Sequence, residues 1–208
     1  MNAAALSLYV VFAIVAFGWR TWVQWRRTGD SGLRLHAKPG TIQWWSKLAF
    51  IAALAAGVAA PIAGLAGLDP IGVFDTPIIR VVGLIAAVAG IATTVAAQWQ
   101  MGTSWRIGVD TSERTELVSH GVFASIRNPI FTAMTITAFG LSAMVGNVVA
   151  LIGFVALLVA LQVQVRFVEE PYMRAAHGEG YDSYAGRAGR FVPGLGRLRT
   201  PVAIEASD

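Results

Sequence analysis

The sequence predicts an all-α membrane protein of about five transmembrane helices, the last two forming a tight hairpin. Three observations lead there. The 208 residues are 55% hydrophobic and 13% charged, whereas soluble domains carry about 25% charged residues. The mean hydropathy is +0.59, and the excess is concentrated in apolar runs near the ~20 residues that cross a bilayer. The basic residues between those runs also fall almost entirely on one side.

The first apolar run, Ala3 to Trp19, has no Lys or Arg before it and ends in Trp19-Arg20. A signal peptide opens on a basic region and closes on small residues, so this run reads as a retained span. The second extends from about Leu48 to Leu68 and contains Pro61; the third covers Ile78 to Trp99. A fourth starts at Pro129 and ends near Gly146-Asn147, and the fifth, Val148 to Phe167, follows almost at once. So short a connection predicts an antiparallel hairpin. Small residues crowd the second and third spans (Ala52, Ala53, Ala55, Ala56, Gly57; Ala86, Ala87, Ala89, Gly90), as in helices that pack closely in lipid.

Charge sets the expected orientation. Residues 20–47 hold six of the Lys and Arg residues against Asp30 alone, residues 101–128 hold Arg106, Arg114 and Arg127, and six arginines follow from Arg166 onward. Only Arg80 lies by the acidic connection of Asp69 and Asp75. The positive-inside rule makes the basic side cytoplasmic. The expectation is a multi-pass protein of a plasma or inner membrane, N-terminus outside and C-terminus cytoplasmic. Trp19, Trp22, Trp25, Trp44 and Trp45 flank the first basic loop as an interfacial belt does.

The same composition excludes several functions. There is no cysteine, so thiolate chemistry and disulfides are absent, and His36, His120 and His177 are not spaced as a metal pair. No metal site is expected. The net charge of +4 suits membrane orientation and anionic lipid head groups, and no nucleic-acid module is present. The spans are nearly free of ionisable groups, which argues against a proton-coupled transporter or channel. Residues 1–100 read as a three-helix scaffold with a basic loop at 20–47. Residues 101–195 read as the functional region, and 196–208 as a tail.

Two polar stretches carry the candidate chemistry, Met101 to Phe131 and Arg166 to Pro193. Long connections of this kind are usually functional or disordered, and their aromatics favour the former. Glu169-Glu170-Pro171 places two carboxylates at the end of the fifth span, where the helix dipole disfavours acids and Pro171 discourages continued helix. Two partners suit Glu170: Arg166, four residues earlier on the same face, or a bound cation such as a sulfonium or ammonium. Arg127-Asn128-Pro129 places Pro at the first turn of the fourth span. There Arg127 and the free amides serve either as a charged cap or as an anion site.

The stretch Glu116-Leu117-Val118-Ser119-His120-Gly121-Val122-Phe123-Ala124-Ser125-Ile126-Arg127-Asn128-Pro129-Ile130-Phe131 resembles the "LVTSGPYRYVRHPxY" segment of integral membrane methyltransferases. These are the isoprenylcysteine carboxyl methyltransferase and phospholipid N-methyltransferase group. Arg166-Phe167-Val168-Glu169-Glu170, then Gly178-Glu179-Gly180-Tyr181, Tyr184 and Arg190-Phe191-Val192-Pro193, resembles their C-terminal "RxxEE … GEEYxxY … RxxP" pattern. The resemblance spans roughly residues 100 to 195; the first hundred residues match only in hydropathy.

That resemblance implies S-adenosylmethionine-dependent methyl transfer in a membrane fold, with cytoplasmic flanks forming the cofactor site. It implies a cofactor pocket lined by Thr115, Glu116, Leu117, Val118, Phe123, Asn128, Pro129, Ile130 and Phe131, with Arg127 beside it. Glu170 would bind the methionine portion with Glu169 close by, and Arg166 would face the substrate and reacting centre. The expected partners are the bilayer and a lipophilic or small methyl acceptor, an isoprenylcysteine-like carboxylate being favoured for O-methylation. Three departures stand out: Asn128 replaces a common His, and Phe123 and Phe131 each replace a Tyr. Tyr172 or Tyr181 are candidates to restore the hydroxyls. The competing readings are an NADPH-dependent membrane sterol-reductase-like enzyme and a non-catalytic protein that retains the scaffold.

Overall fold

The computed structural model describes residues 1–110, 113–114 and 116–198. Among these the regular structure is helical, with only isolated bridges such as Leu33 to Ile107 and Ile126 to Gly189. Helix α1 (Asn2–Ala13) runs through a π-helical turn, Ile14–Trp19, into α2 (Arg20–Thr28). It stops at Gly29, whose φ of 75° is left-handed and whose amide donates to Trp25 O. Arg26 and Arg27 occupy the last turn, where cations complement the helix dipole.

Helix α3 (Ile42–Leu65) starts at Thr41, whose hydroxyl accepts from Trp44 N at 3.3 Å. Pro61 sits inside it, as lipid-embedded helices permit. Helix α4 (Pro77–Met101) is capped by Thr76 and has Pro at its first position. Helix α5 (Pro129–Val145) ends at Gly146, φ 70°. Asn147 then caps α6 (Val148–Gln164), accepting from Ala150 N at 3.0 Å, and donates to Ala60 O at 2.9 Å. Two short helices, α7 (Glu170–His177) and α8 (Glu179–Arg187), follow.

Among the described residues, four helical stretches are long and apolar enough to cross a membrane: Asn2–Thr28, Ile42–Leu65, Pro77–Ser104 and Val148–His177. α5 is apolar but has 17 residues, about 26 Å at 1.5 Å per residue. Ile78, Ile85 and Ile152 are 77%, 63% and 62% exposed, an outer surface suited to lipid rather than water.

The closest packing is between α4 and α5, and between α3 and α6. The small residues of the second and third spans therefore meet the later helices rather than each other. A Cβ on Gly83 would lie 2.7 Å from Gly140 O, and one on Gly140 would collide with Ala87 N. Gly83, Ala87 and Gly90 on α4 thus face Ala133, Thr137 and Gly140 on α5 with backbones nearly touching, a small-residue interface of the kind lipid-embedded helices use.

One sequence expectation fails locally. Pro171 does not stop the helix at Glu170: a π-helical turn, Val165–Glu169, leads directly from α6 into α7, and Pro171 falls in the first turn of α7. Such a turn re-spaces the backbone ladder where proline removes a donor.

Candidate active site

The polar segments gather at one end of the helices, where α7, α8, the described residues between 102 and 128, and residues 188–198 pack together. Local sequence explains much of this cap. Gly189 N donates to Ser125 O and Arg127 N to Gly189 O, at 2.9 and 2.8 Å, so the tail after α8 lies along the segment entering α5. Asn128 continues the seam, donating through N and Nδ2 to Arg190 O at 3.2 and 3.0 Å. Thr132 Oγ1 donates to Phe191 O at 2.7 Å. The start of α5 is therefore covered by residues 189–191.

The first basic loop docks here too. Arg34 Nε donates to both oxygens of Glu113 at 2.9 and 2.8 Å and its guanidinium also pairs with Asp30. The Arg34 hydrogen bond holds Asp30 down to a pKa of about 2, and the two acids raise that of Arg34. Gln43 Nε2 donates to Val109 O at 3.0 Å.

At the centre Arg127, its side chain 2% exposed, meets Glu170, 8% exposed. Arg127 Nη2 donates to Glu170 Oε1 at 2.8 Å, and Nη1 to Ala185 O and Ala188 O at 2.9 and 2.6 Å. Arg190 donates from Nε to Oε1 and from Nη2 to Oε2 of Glu170, at 2.7 and 3.0 Å. Both Glu170 oxygens are thus engaged. The partner expected from helical spacing, Arg166, is turned away: it is exposed and donates to Gln162 Oε1 at 2.8 Å. The chain arriving from the far side of α8 brings Arg190 to Glu170, which helical spacing cannot foresee.

Glu169 differs from its neighbour. Its Oε1 accepts from Gln164 Nε2 at 3.2 Å, and Gln164 Oε1 accepts from Ser46 Oγ at 2.8 Å. The charge of Arg106 acts on Glu169, and the Arg106 guanidinium lies over the Tyr172 ring, 4.9 Å from its centroid. Arg106 Nη1 and His177 Nε2 are buried without a hydrogen-bond partner. Arg106 also acts electrostatically on His177. Unpaired buried polar nitrogens are costly.

The other expected residues divide clearly. Leu117 packs against the buried Tyr181, Tyr184, Ala185 and Ala188. Phe123 is buried, and its carbonyl accepts from Tyr184 Oη at 2.7 Å. Burial pushes the Tyr184 pKa up to about 12 and raises that of Tyr181. Ile130 and Phe131 pack beside Phe12 and Met134 in the helical interior, and Pro129 is buried. Glu116 is exposed and Val118 half-buried; Thr115 lies outside the described residues. Tyr172 Oη is already committed to Glu113 O at 2.6 Å. Sequence reasoning misses Arg106 and His177, because a loop arginine and a histidine without a spaced partner carry no local signal of a site. Arg190 stood within the C-terminal motif without a role.

An apolar cavity of about 50 Å³ lies elsewhere, among Tyr9, Gly57, Ser142, Gly153 and their neighbours in α1, α3, α5 and α6. No group of three or more His, Cys, Asp or Glu suited to a metal occurs among the described residues.

The sequence profile of the phospholipid methyltransferase family matches residues 78–180, the stretch from α4 to the start of α8. It therefore includes α4, whose glycines fit α5, as well as α7, but stops before most of α8 and the tail that brings Arg190 to Glu170. The fold is similar to that of a eukaryotic intramembrane Ras methyltransferase, an isoprenylcysteine carboxyl methyltransferase, with a TM-score of 0.68 and 17% identity over 94% of this chain and 67% of that one. No curated protein matches the chain. With that profile on a fold of this kind, the chain is a membrane methyltransferase, similar to the phospholipid methyltransferase family over residues 78–180.

Proposed function

We propose that this protein transfers a methyl group from S-adenosylmethionine to the carboxylate of a lipophilic acceptor entering from the bilayer. The observation that carries the reading is the cluster of Arg106, Glu169 and His177. Arg106 Nη1 and His177 Nε2 are buried there without partners among the described residues, beside the Glu169 carboxylate, whose Oε1 accepts from Gln164. Such a set fits the cofactor's amino-acid end, which offers a carboxylate to a guanidinium and an ammonium to a carboxylate. When bound, S-adenosylmethionine supplies a methyl already activated on a sulfonium.

In this reading Glu169 is the open acceptor, and Glu170 is the frame that Arg127 and Arg190 hold rigid. Leu117, Val118 and Phe123, with Glu116 beside them, form the wall next to α8. Asn128, Pro129, Ile130 and Phe131 form the floor at the start of α5. Arg166, exposed on the π-helical turn, meets the acceptor's carboxylate at the membrane face and orients it bidentately. An anionic acceptor needs no general base; placement and exclusion of water remain as the protein's tasks.

The same proposal takes α5 as a short fifth crossing, turned back at Gly146-Asn147, with the polar cap cytoplasmic and the N-terminus outside. The carboxylate preference is supported by the guanidinium at the rim and by the isoprenylcysteine acceptor in the name of the similar structure.

The test uses purified protein, labelled S-adenosylmethionine and a prenylated cysteine derivative with a free carboxylate. Label released by mild alkali, as from a methyl ester, is expected. Alkali-stable label on lipid amines would overturn the carboxylate assignment while keeping the methyl transfer.

A further inference from the structure

A second basic site lies outside the candidate active site, on the outer surface between α2 and α4. Trp19, Arg20, Val23 and Arg27 form one wall of a groove, and Val95, Gln98 and Trp99 form the other. The Trp19 and Trp99 rings stand 6.3 Å apart, and the Arg27 guanidinium lies 5.6 Å from the Trp99 ring centroid. No ion pair to Arg20, Arg26 or Arg27 occurs among the described residues. Arg27 and Trp99 are exposed.

The continuous helix Asn2–Thr28 has 27 residues, about 40 Å at 1.5 Å per residue. The hydrocarbon core is only about 30 Å thick. The end of α2 therefore reaches head-group depth, where indoles anchor. A groove at that depth on the lipid-facing perimeter offers the exposed Arg27 guanidinium beside Val23, Val95 and the indole faces of its walls. Its charge is uncompensated by carboxylate, so its complement is an anion carrying apolar chains.

The groove is also tied to the polar segment. Arg20, buried, donates from Nη1 to Gln24 Oε1 at 3.2 Å and from Nη2 to Gly102 O. Gln24 Nε2 donates to Thr103 O at 2.7 Å, and the Arg20 guanidinium lies 4.7 Å from the Trp105 ring centroid. Trp105 immediately precedes Arg106.

We infer that the groove between α2 and α4 is a head-group site for one anionic phospholipid, and that its occupancy braces the segment beginning at Gly102. Arg27 contributes the exposed contact, and Arg20 relays it to residues 102–105.

Native mass spectrometry of the detergent-purified full chain, titrated with phosphatidylglycerol or phosphatidylcholine of matched chains, tests the site. The anionic lipid is expected to bind several-fold more tightly. Arg27→Gln should remove about five-fold of that preference, as expected for one cation near the surface. Arg26→Gln, whose guanidinium lies over Trp22 instead, should leave it nearly intact. Equal binding of the two lipids, an equal loss in both variants, or displacement by millimolar inorganic phosphate would each overturn the site. Hydrogen exchange at residues 102–105 should slow with phosphatidylglycerol in the wild type and not in Arg27→Gln; unchanged rates would overturn the bracing. Neither arm depends on methyl transfer.

Discussion

Arg127 Nη2 donates to Glu170 Oε1 at 2.8 Å across a site where both side chains are less than a tenth exposed. Removing one member of a buried pair leaves an uncompensated charge, a loss of about 3–5 kcal/mol. Glu170→Ala should therefore lower the melting temperature steeply, and Glu170→Gln, which keeps an acceptor for Arg127, should lower it less. Thermal unfolding in detergent distinguishes this framing role from a purely ligand-binding one, in which the unliganded variant would melt like the wild type.

The α4–α5 contact makes a second claim about stability. Gly140→Ala places a methyl against Ala87 N, where only backbone can yield. Overpacking of this kind costs about 1–3 kcal/mol. Gly72→Ala, where a Cβ meets nothing within 4 Å, is the matched control and should melt within a degree or two of the wild type. Similar melting of the two variants would contradict the packing described.

Tyr184 gives the cap an alkaline limit. Its phenol is neutral in the fold up to about pH 12 because burial disfavours the phenolate, whereas an unfolded tyrosine ionises near pH 10. The folded pKa is the higher one, so this contribution is complete below about pH 10 and is lost as pH rises towards 12. Tyr184→Phe should melt lower at neutral pH, because Phe123 O loses its donor. It should also show a shallower decline between pH 10 and 12; parallel pH profiles would contradict this.

Arg106 and Arg166 should separate binding from turnover. Arg106→Gln is expected to weaken S-adenosylhomocysteine binding by tenfold or more, roughly the 1.5–3 kcal/mol of a charge-assisted hydrogen bond, with the melting temperature of the unliganded protein little changed. Arg166→Ala should leave that affinity within twofold and reduce turnover. Calorimetric titration of both variants, beside a methyl-transfer assay, checks the division. An equal loss of affinity in both would remove the role given to Arg166.

Much of this was legible in the sequence because membrane helices are written in long apolar runs. The spans beginning near Leu48, Ile78 and Pro129 overlap observed helices, differing by a few residues at their ends, where Thr41, Thr76 and Gly146 supply caps and stops. Helix partnership was less legible. Small residues mark a close face, but only tertiary packing shows that Gly83 meets α5 instead of α3. The site divided in the same way. Local motif order pointed to Arg127, Asn128, Glu169 and Glu170, whereas the pairing of Glu170 with Arg190 depends on a chain reversal after α8. Arg106 looked like any basic loop residue, since its unpaired nitrogen is a property of burial that no spacing records.

The central claim is tested most directly by calorimetric titration of the purified wild-type protein with S-adenosylhomocysteine and, separately, with NADPH. The account predicts saturable, one-to-one binding of the former, weakened by Arg106→Gln, and no binding of the latter. Saturable NADPH binding, or no response to S-adenosylhomocysteine from protein that unfolds cooperatively, would contradict it.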